Sequence, residues 1–208
     1  MIKKPFIGIA GNIGVGKTTF AEILSKKLDI NVCYESVDDN PYLSDFYKDM
    51  ERWSFNLQIY FLQNRFKSHV DIIETKKGII QDRTIYEDVS IFAYNLYKMG
   101  IMSKRDWETY NNIFFHMTKF LKKPDLIIYL RASTDTLINR IKKRSRSYEK
   151  DIDEIYLHRL NIYYKKWFSE INNFNVLEIN TNNFNIFSDF NTLEDIYIDI
   201  ENKLRYIK

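Results

Sequence analysis

The sequence is poor in the residues that cross-link, punctuate or anchor a chain. One cysteine, Cys33, in 208 residues rules out an intramolecular disulfide framework and suits a reducing compartment rather than secretion. The three prolines, Pro5, Pro41 and Pro124, are widely spread, and no Pro/Gly/Ser-rich linker divides the chain. A single domain over residues 1–208 is therefore expected. No run approaches the roughly 18 apolar residues of a membrane-spanning helix. Phe6–Ala10, after two lysines, is too short for the apolar core of a secretion signal. An excess of either charge is missing too: 31 basic against 28 acidic residues leave +3, too balanced to argue for nucleic-acid binding. These absences point to a cytoplasmic protein with neither a membrane nor a nucleic-acid partner. Glycine is also scarce, six in all, yet Gly8, Gly11, Gly14 and Gly16 fall within nine residues.

What is present belongs to a folded domain. Hydrophobic residues at 45% and charged residues at 28% exclude intrinsic disorder, and aromatics at 16% have core packing as their ordinary use. Short apolar runs alternate with helical patterns. Strands are expected at 5–10, 30–35, 78–82, 125–130 and 175–179. Helices are expected at 17–28, 51–76, near 85–98, at 104–121, 134–143, about 152–171 and 193–207. The Asn-rich stretch 180–192 lacks periodicity and reads as a loop. Such alternation implies an α/β fold, a parallel sheet covered by helices on both faces.

The clustered glycines explain themselves in that frame. Residues 11–18, Gly-Asn-Ile-Gly-Val-Gly-Lys-Thr, satisfy G-x-x-x-x-G-K-[ST], with a strand before and a helix after. The backbone from Gly11 through Asn12, Ile13, Gly14, Val15 and Gly16 can turn its N–H groups toward phosphate, aided by the helix N-terminus and Thr19. Lys17 can reach the outer phosphates of a nucleotide such as ATP, and the Thr18 hydroxyl can ligate Mg²⁺. A plain strand-to-helix turn would explain the glycines but not Lys17-Thr18 at that spacing. There is no N-K-x-D guanine motif and no D-x-x-G after the third strand, which argues against a GTPase.

Ligands of open parallel sheets bind beyond the carboxyl ends of strands. Glu35 ends the second expected strand, where a carboxylate can take the proton of an attacking hydroxyl; Asp38 and Asp39 compete for that role. Asp82-Arg83 end the third strand, Asp82 placed to hold Mg²⁺ through water and Arg83 to orient Glu35 or a phosphate. The run RIKKRSR (140–146) reads as a solvated basic face, as a nucleic-acid patch, which the balanced charge elsewhere disfavours, or as a mobile lid. As a lid, Arg140, Arg144 and Arg146 would close over transferring phosphate. Arg65, seven residues after Gln58, shares a helix face with it.

Five segments in order resemble the deoxynucleoside kinase family, of the bacterial deoxyadenosine/deoxycytidine kinase type. They are GNIGVGKTT (11–19), ESVDDNPYLSDFY (35–47), ERWSFNLQIYFLQNRF (51–66), QDRTIYEDVSIF (81–92) and RIKKRSRSYE (140–149). The resemblance implies a P-loop nucleotide-kinase fold: a five-stranded parallel sheet, helices on both faces and an arginine-rich lid at about 140–150. It further implies a homodimer that moves the γ-phosphate of ATP to a deoxynucleoside 5′-hydroxyl. By motif, Glu35 resembles the general base and Arg83 its partner; Tyr47 and Glu149 resemble the pair that holds the sugar 3′-hydroxyl. Gln58 matches the base-pairing amide, Phe92 the aromatic that stacks on the base, and Arg65 and Asp88 a polar pair of members that accept deoxycytidine or purines. Ser36, Thr84 and Ser145 depart from the usual proline, serine and glycine of the family. A nucleoside monophosphate kinase of the thymidylate kinase type and a nucleotide-binding regulatory module are the competing readings.

Overall fold

The computed structural model describes residues 4–35, 39–74, 77–146, 149, 152–184 and 186–205. Asp38 and Ser36, and the lid positions 147, 148 and 150, lie outside the described residues. The strands are β1 (Phe6–Gly11), β2 (Asn31–Cys33), β3 (Ile79–Asp82), β4 (Leu126–Arg131) and β5 (Val176–Asn180). They form one parallel sheet in the order β2-β3-β1-β4-β5, with Ile9 opposite Asp82 on one side and Ile128 on the other. β1 is buried at every position, as a central strand covered on both faces must be.

The helices are α1 (Lys17–Leu28), α2 (Leu43–Lys48), α3 (Met50–Glu74), α4 (Ile85–Glu87), α5 (Tyr94–Lys98), α6 (Lys104–Thr118), α7 (Thr134–Arg144), α8 (Glu154–Glu170) and α9 (Phe190–Arg205). Serine or aspartate starts several of them: the side chains of Ser103, Ser133 and Asp153 accept backbone N–H bonds in the first turns of α6, α7 and α8. One apolar core joins Phe20 and Leu24 of α1, Leu137 of α7 and Ile196 and Ile200 of α9 to Ile7, Ile9 and Ile128 of the sheet. A second gathers Leu57 and Leu62 of α3, Ile91, Tyr110 of α6 and Leu160 and Tyr164 of α8. Both faces are therefore covered.

Most expected elements stand within a residue or two of their places. The differences are instructive. β2 is only three residues long, an edge strand whose pairing with β3 ends at Cys33. α2 was not expected; its six residues bury Leu43 and Phe46 but are too few to show a period. α6 stops at Thr118, and α9 begins at Phe190 inside the expected loop. The expected helix near 85–98 is three pieces, because Asp88–Ala93 is π-helical and the Tyr94 N–H reaches back to Val89 O. Such wide turns recur at functional sites.

Candidate active site

The loop between β1 and α1 folds as its glycines require. Gly16 precedes α1 at φ 101°, and Gly14 sits at φ +81° with α7 so close that a Cβ would fall 2.7 Å from Ile141 Cγ1. The phosphate loop thus rests on the helix that carries the basic run. The Asn12 amide donates to Leu157 O at 3.0 Å and Asn161 Oδ1 at 2.8 Å, pinning the loop to α8. Lys17 is buried, and its ammonium donates to Gly11 O at 3.0 Å and Asn12 O at 3.1 Å. Burial, with the Arg83 charge nearby, pulls its pKa down to about 8. The Thr18 hydroxyl donates to Asp82 Oδ2 at 2.5 Å, while Asp82 Oδ1 is buried without a partner, and burial raises that carboxyl. A hydroxyl and a half-satisfied carboxylate beside a phosphate loop suit a magnesium–nucleotide complex. Among the described residues no group of three or more His, Cys, Asp or Glu could hold a metal by itself.

A cleft of about 970 Å³ opens over the carboxyl ends of the strands. It is lined by loop residues Ile13 to Thr19, by Glu35, Asp82 and Arg83, by Tyr47, Gln58, Arg65, Asp88 and Phe92, and by Arg140, Arg144, Arg146 and Glu149. Gly11 and Asn12, at the start of the loop, are not on the cleft wall. Asp39 is exposed and off the wall.

A line of contacts crosses this cleft. Arg83 stands at φ 69°, a left-handed backbone uncommon outside glycine, which turns it off the end of β3. Its Nε donates to Glu35 Oε1 at 3.0 Å, and its guanidinium lies 4.5 Å over the Phe92 ring. Arg65 Nη2 donates to the same Glu35 oxygen, and Arg65 Nη1 pairs with Asp88 Oδ2 at 3.1 Å. Burial would raise the Glu35 carboxyl, but Arg83, Arg65 and Lys17 outweigh it and hold it at about 2. Asp88 goes the other way: burial pushes it up to about 7 against the pull of Arg65 and Arg83. Two carboxyls sharing one arginine are thus held far apart in acidity. Gln58 is buried, with Oε1 unpartnered, on the α3 face that Arg65 shares. Burial also drives the Tyr47 phenol well above its usual range, with the Tyr156 and Glu149 charges adding to it.

The basic run divides in two. Arg140 is spent inside the fold, donating to Val15 O and Thr181 Oγ1 at 3.0 Å each and to Thr181 O at 2.5 Å. Arg144 pairs with Glu149 through two bonds, its Nε at 3.0 Å from Oε2, and Arg146 Nη1 lies 3.8 Å from Glu149 Oε1. Sequence reasoning missed Glu87 and Tyr164, both fully buried. Glu87 Oε2 accepts from the Gly11 N–H at 3.1 Å and from Tyr164 Oη at 2.7 Å. The pattern Thr84-x-x-Glu87 is a capping box, and that signal explains Glu87 locally while hiding its reach to the phosphate loop. Tyr164 carries no sequence signal beyond its helical period.

A phosphate loop at the central strand, with a carboxylate between guanidinium groups at the neighbouring strand ends, defines a P-loop phosphotransferase with a small acceptor. The profile of the family described as deoxynucleoside kinase matches residues 7–205. The chain belongs to the deoxynucleoside kinase family and is a kinase of deoxynucleosides. It is 41% identical over 196 residues to a deoxyadenosine/deoxycytidine kinase of Bacillus subtilis, covering 93% of this chain and 90% of that one. It is 44% identical over 179 residues to a deoxyadenosine kinase of Dictyostelium discoideum, covering 86% and 73%. The structure of a deoxyadenosine kinase from M. mycoides with bound dATP superposes with a TM-score of 0.83 at 32% identity, covering 93% of this chain and 98% of that one.

Proposed function

We propose that this kinase transfers the γ-phosphate of ATP to the 5′-hydroxyl of deoxyadenosine and deoxycytidine, with deoxyguanosine as a further acceptor. The observation that carries the base preference is the buried Arg65–Asp88 pair, 3.1 Å apart and on the same cleft wall as Gln58. An amide, a guanidinium and a carboxyl present donors and acceptors to the amino-bearing edge of adenine or cytosine. Phe92 would stack on the base, and Tyr47 and Glu149 would hold the 3′-hydroxyl.

Glu35 accepts the 5′-hydroxyl proton as that oxygen attacks in line. Arg83, on the Glu35 carboxylate at 3.0 Å, aims it and lends charge to the transferring group. Lys17 leaves its two carbonyls for the phosphates, and Arg144 and Arg146 fold over them while Arg140 keeps the lid helix seated on the loop. A magnesium ion bound with the triphosphate would lie by Thr18 and Asp82 and neutralise phosphate charge. A monophosphate kinase needs cations free for an acceptor phosphate, whereas Arg65 and Arg83 are both committed to Glu35.

The chain acts as one domain, and we infer a cytoplasmic homodimer. Ile113 and Phe115 of α6 and Phe120 beyond it are 38%, 56% and 82% exposed, an apolar surface that suits a second copy. No helix among the described residues is long and apolar enough to cross a membrane. Product formation from each of the four deoxynucleosides and from dAMP, with ATP and magnesium, tests the proposal. Turnover of deoxyadenosine and deoxycytidine with thymidine refused is expected; turnover of dAMP alone refutes it. Glu35→Gln should lower kcat about 10²- to 10⁴-fold with nucleotide binding retained; near-wild-type turnover would assign the base elsewhere.

A further inference from the structure

Tyr164 lies in α8, 153 residues from Gly11 and 81 from Arg83, yet its hydroxyl sits among both of them and Glu87. Arg83 Nη1 donates to Tyr164 Oη at 2.7 Å, and two acceptors lie opposite: Gly11 O at 2.8 Å and Glu87 Oε2 at 2.7 Å. A phenol has one proton, so it serves one of these acceptors at a time. Each acceptor has a second donor. Gly11 O also takes the Lys17 ammonium at 3.0 Å, and Glu87 Oε2 also takes the Gly11 N–H at 3.1 Å and Arg83 Nη1 at 3.5 Å. The ring itself is held, stacked on Tyr129 at 5.6 Å and 8° and meeting Phe92 edge-on at 6.2 Å and 85°. The hydroxyl proton is the part of Tyr164 left to turn.

We propose that Tyr164 is a positioning residue for phosphoryl transfer: its hydroxyl braces the Arg83 guanidinium against Glu35 and takes over the Gly11 carbonyl when Lys17 turns to bound phosphate. Without nucleotide, Lys17 satisfies Gly11 O, and the phenol proton can rest on Glu87. A triphosphate draws the ammonium off that carbonyl, and a buried carbonyl that loses a donor is destabilised unless another replaces it. Tyr164 is already in place to do so. Its proton then leaves Glu87 Oε2, which is freed for Arg83 Nη1, and the Arg83 fork is fixed between Glu87 on one side and Glu35 on the other. Nucleotide arrival at the loop is thereby communicated to the arginine that aims the acceptor base. The effect on turnover rests on the kinase reading, since that reading gives Arg83 and Glu35 their roles; the hydrogen-bond exchange at Gly11 does not.

The test is Tyr164→Phe, which keeps the ring and removes the hydroxyl. Calorimetric titration with a non-hydrolysable ATP analogue and steady-state kinetics with deoxyadenosine are compared with wild type after matched thermal melts. A fall in kcat of about tenfold or more is expected, because a small displacement of a positioned group is costly. Analogue affinity should fall about fivefold for the unreplaced carbonyl bond, with the KM for deoxyadenosine within twofold of wild type. Unchanged kcat and unchanged analogue affinity would overturn the proposal, as would a lowered melting point with wild-type constants per folded molecule. Should Tyr164→Phe not fold, Glu87→Gln is used: a lowered kcat with analogue affinity held within twofold supports the exchange, and equal loss of both refutes it. Wild type inactive on every nucleoside would count against the kinase reading alone, with the analogue titration still deciding the Tyr164–Gly11 contact.

Discussion

Raising the pH should weaken nucleotide binding through a single side chain, Lys17. Its ammonium is buried behind the phosphate loop, with burial and the Arg83 charge pulling it to about 8 against the opposing pull of Asp82, Glu35 and Glu87. The charged form is the one that can leave Gly11 O and Asn12 O for phosphate. With a pKa of about 8, roughly one amine in eleven is neutral at pH 7 and about ten in eleven at pH 9. Bound triphosphate, carrying several negative charges, restores the ammonium, so binding at pH 9 takes up about one proton. The apparent Kd should rise about tenfold from pH 7 to pH 9, equivalent to about 1.4 kcal/mol. The analogue is one whose terminal phosphate is already ionised below pH 7, as in an oxygen-bridged thiophosphate, so that group contributes little over the range. The assay is titration of a non-hydrolysable ATP analogue at pH 7, 8 and 9 in two buffers of different ionisation enthalpy, which gives the Kd and the proton count together. Lys17→Met should bind weakly at every pH and abolish the proton uptake. A Kd constant within twofold from pH 7 to 9, with no proton taken up by the wild type, would refute the reasoning.

Ser145, which ends α7 at φ 53°, occupies a conformation that glycine adopts without cost. Ser145→Gly should stabilise the protein by about 0.5–1 kcal/mol net of the hydroxyl bond to Lys142 O, seen as a melting-point rise of about 1–4 °C. His69 is buried between the Phe6 and Tyr86 rings with one ring nitrogen 2.6 Å from Lys122 O and the other unpartnered, and burial lowers its pKa. The unfolded chain then binds the extra proton first, so this residue costs stability as pH falls through about 6.5. Asp88, raised by burial to about 7, runs in the opposite sense over much of the same window. The His69 contribution is therefore read as a difference: wild type should lose stability between pH 7.5 and 5.5 relative to His69→Gln, and parallel profiles would contradict it.

The parts of the site that were legible from sequence are those where local chemistry and function coincide. Gly16 must be glycine to start α1 at φ 101°, and the same residue type makes the phosphate motif. Gln58 and Arg65 were legible because a seven-residue spacing on one helix holds regardless of what surrounds it. Arg140 was read as a lid cation, and what turned it into a brace is Thr181, 41 residues away and without a pattern that could announce it. Glu87 and Tyr164 escaped for the same reason, since Glu87 depends on Gly11, and Tyr164 on Gly11 and Arg83, all distant in sequence. α2 was too short to show a period, and the break at Asp88–Ala93 leaves the apolar spacing nearly intact while shifting the backbone bonds.

That break makes chain length a determinant of how Asp88 and Phe92 are set against each other on the cleft wall. Asp88 opens the wide turn and Phe92 lies near its end, one expected to read the base edge and the other its face. Deleting one residue between them would restore an ordinary helix and rotate one side chain against the other about the helix axis. No substitution at either position could undo that rotation.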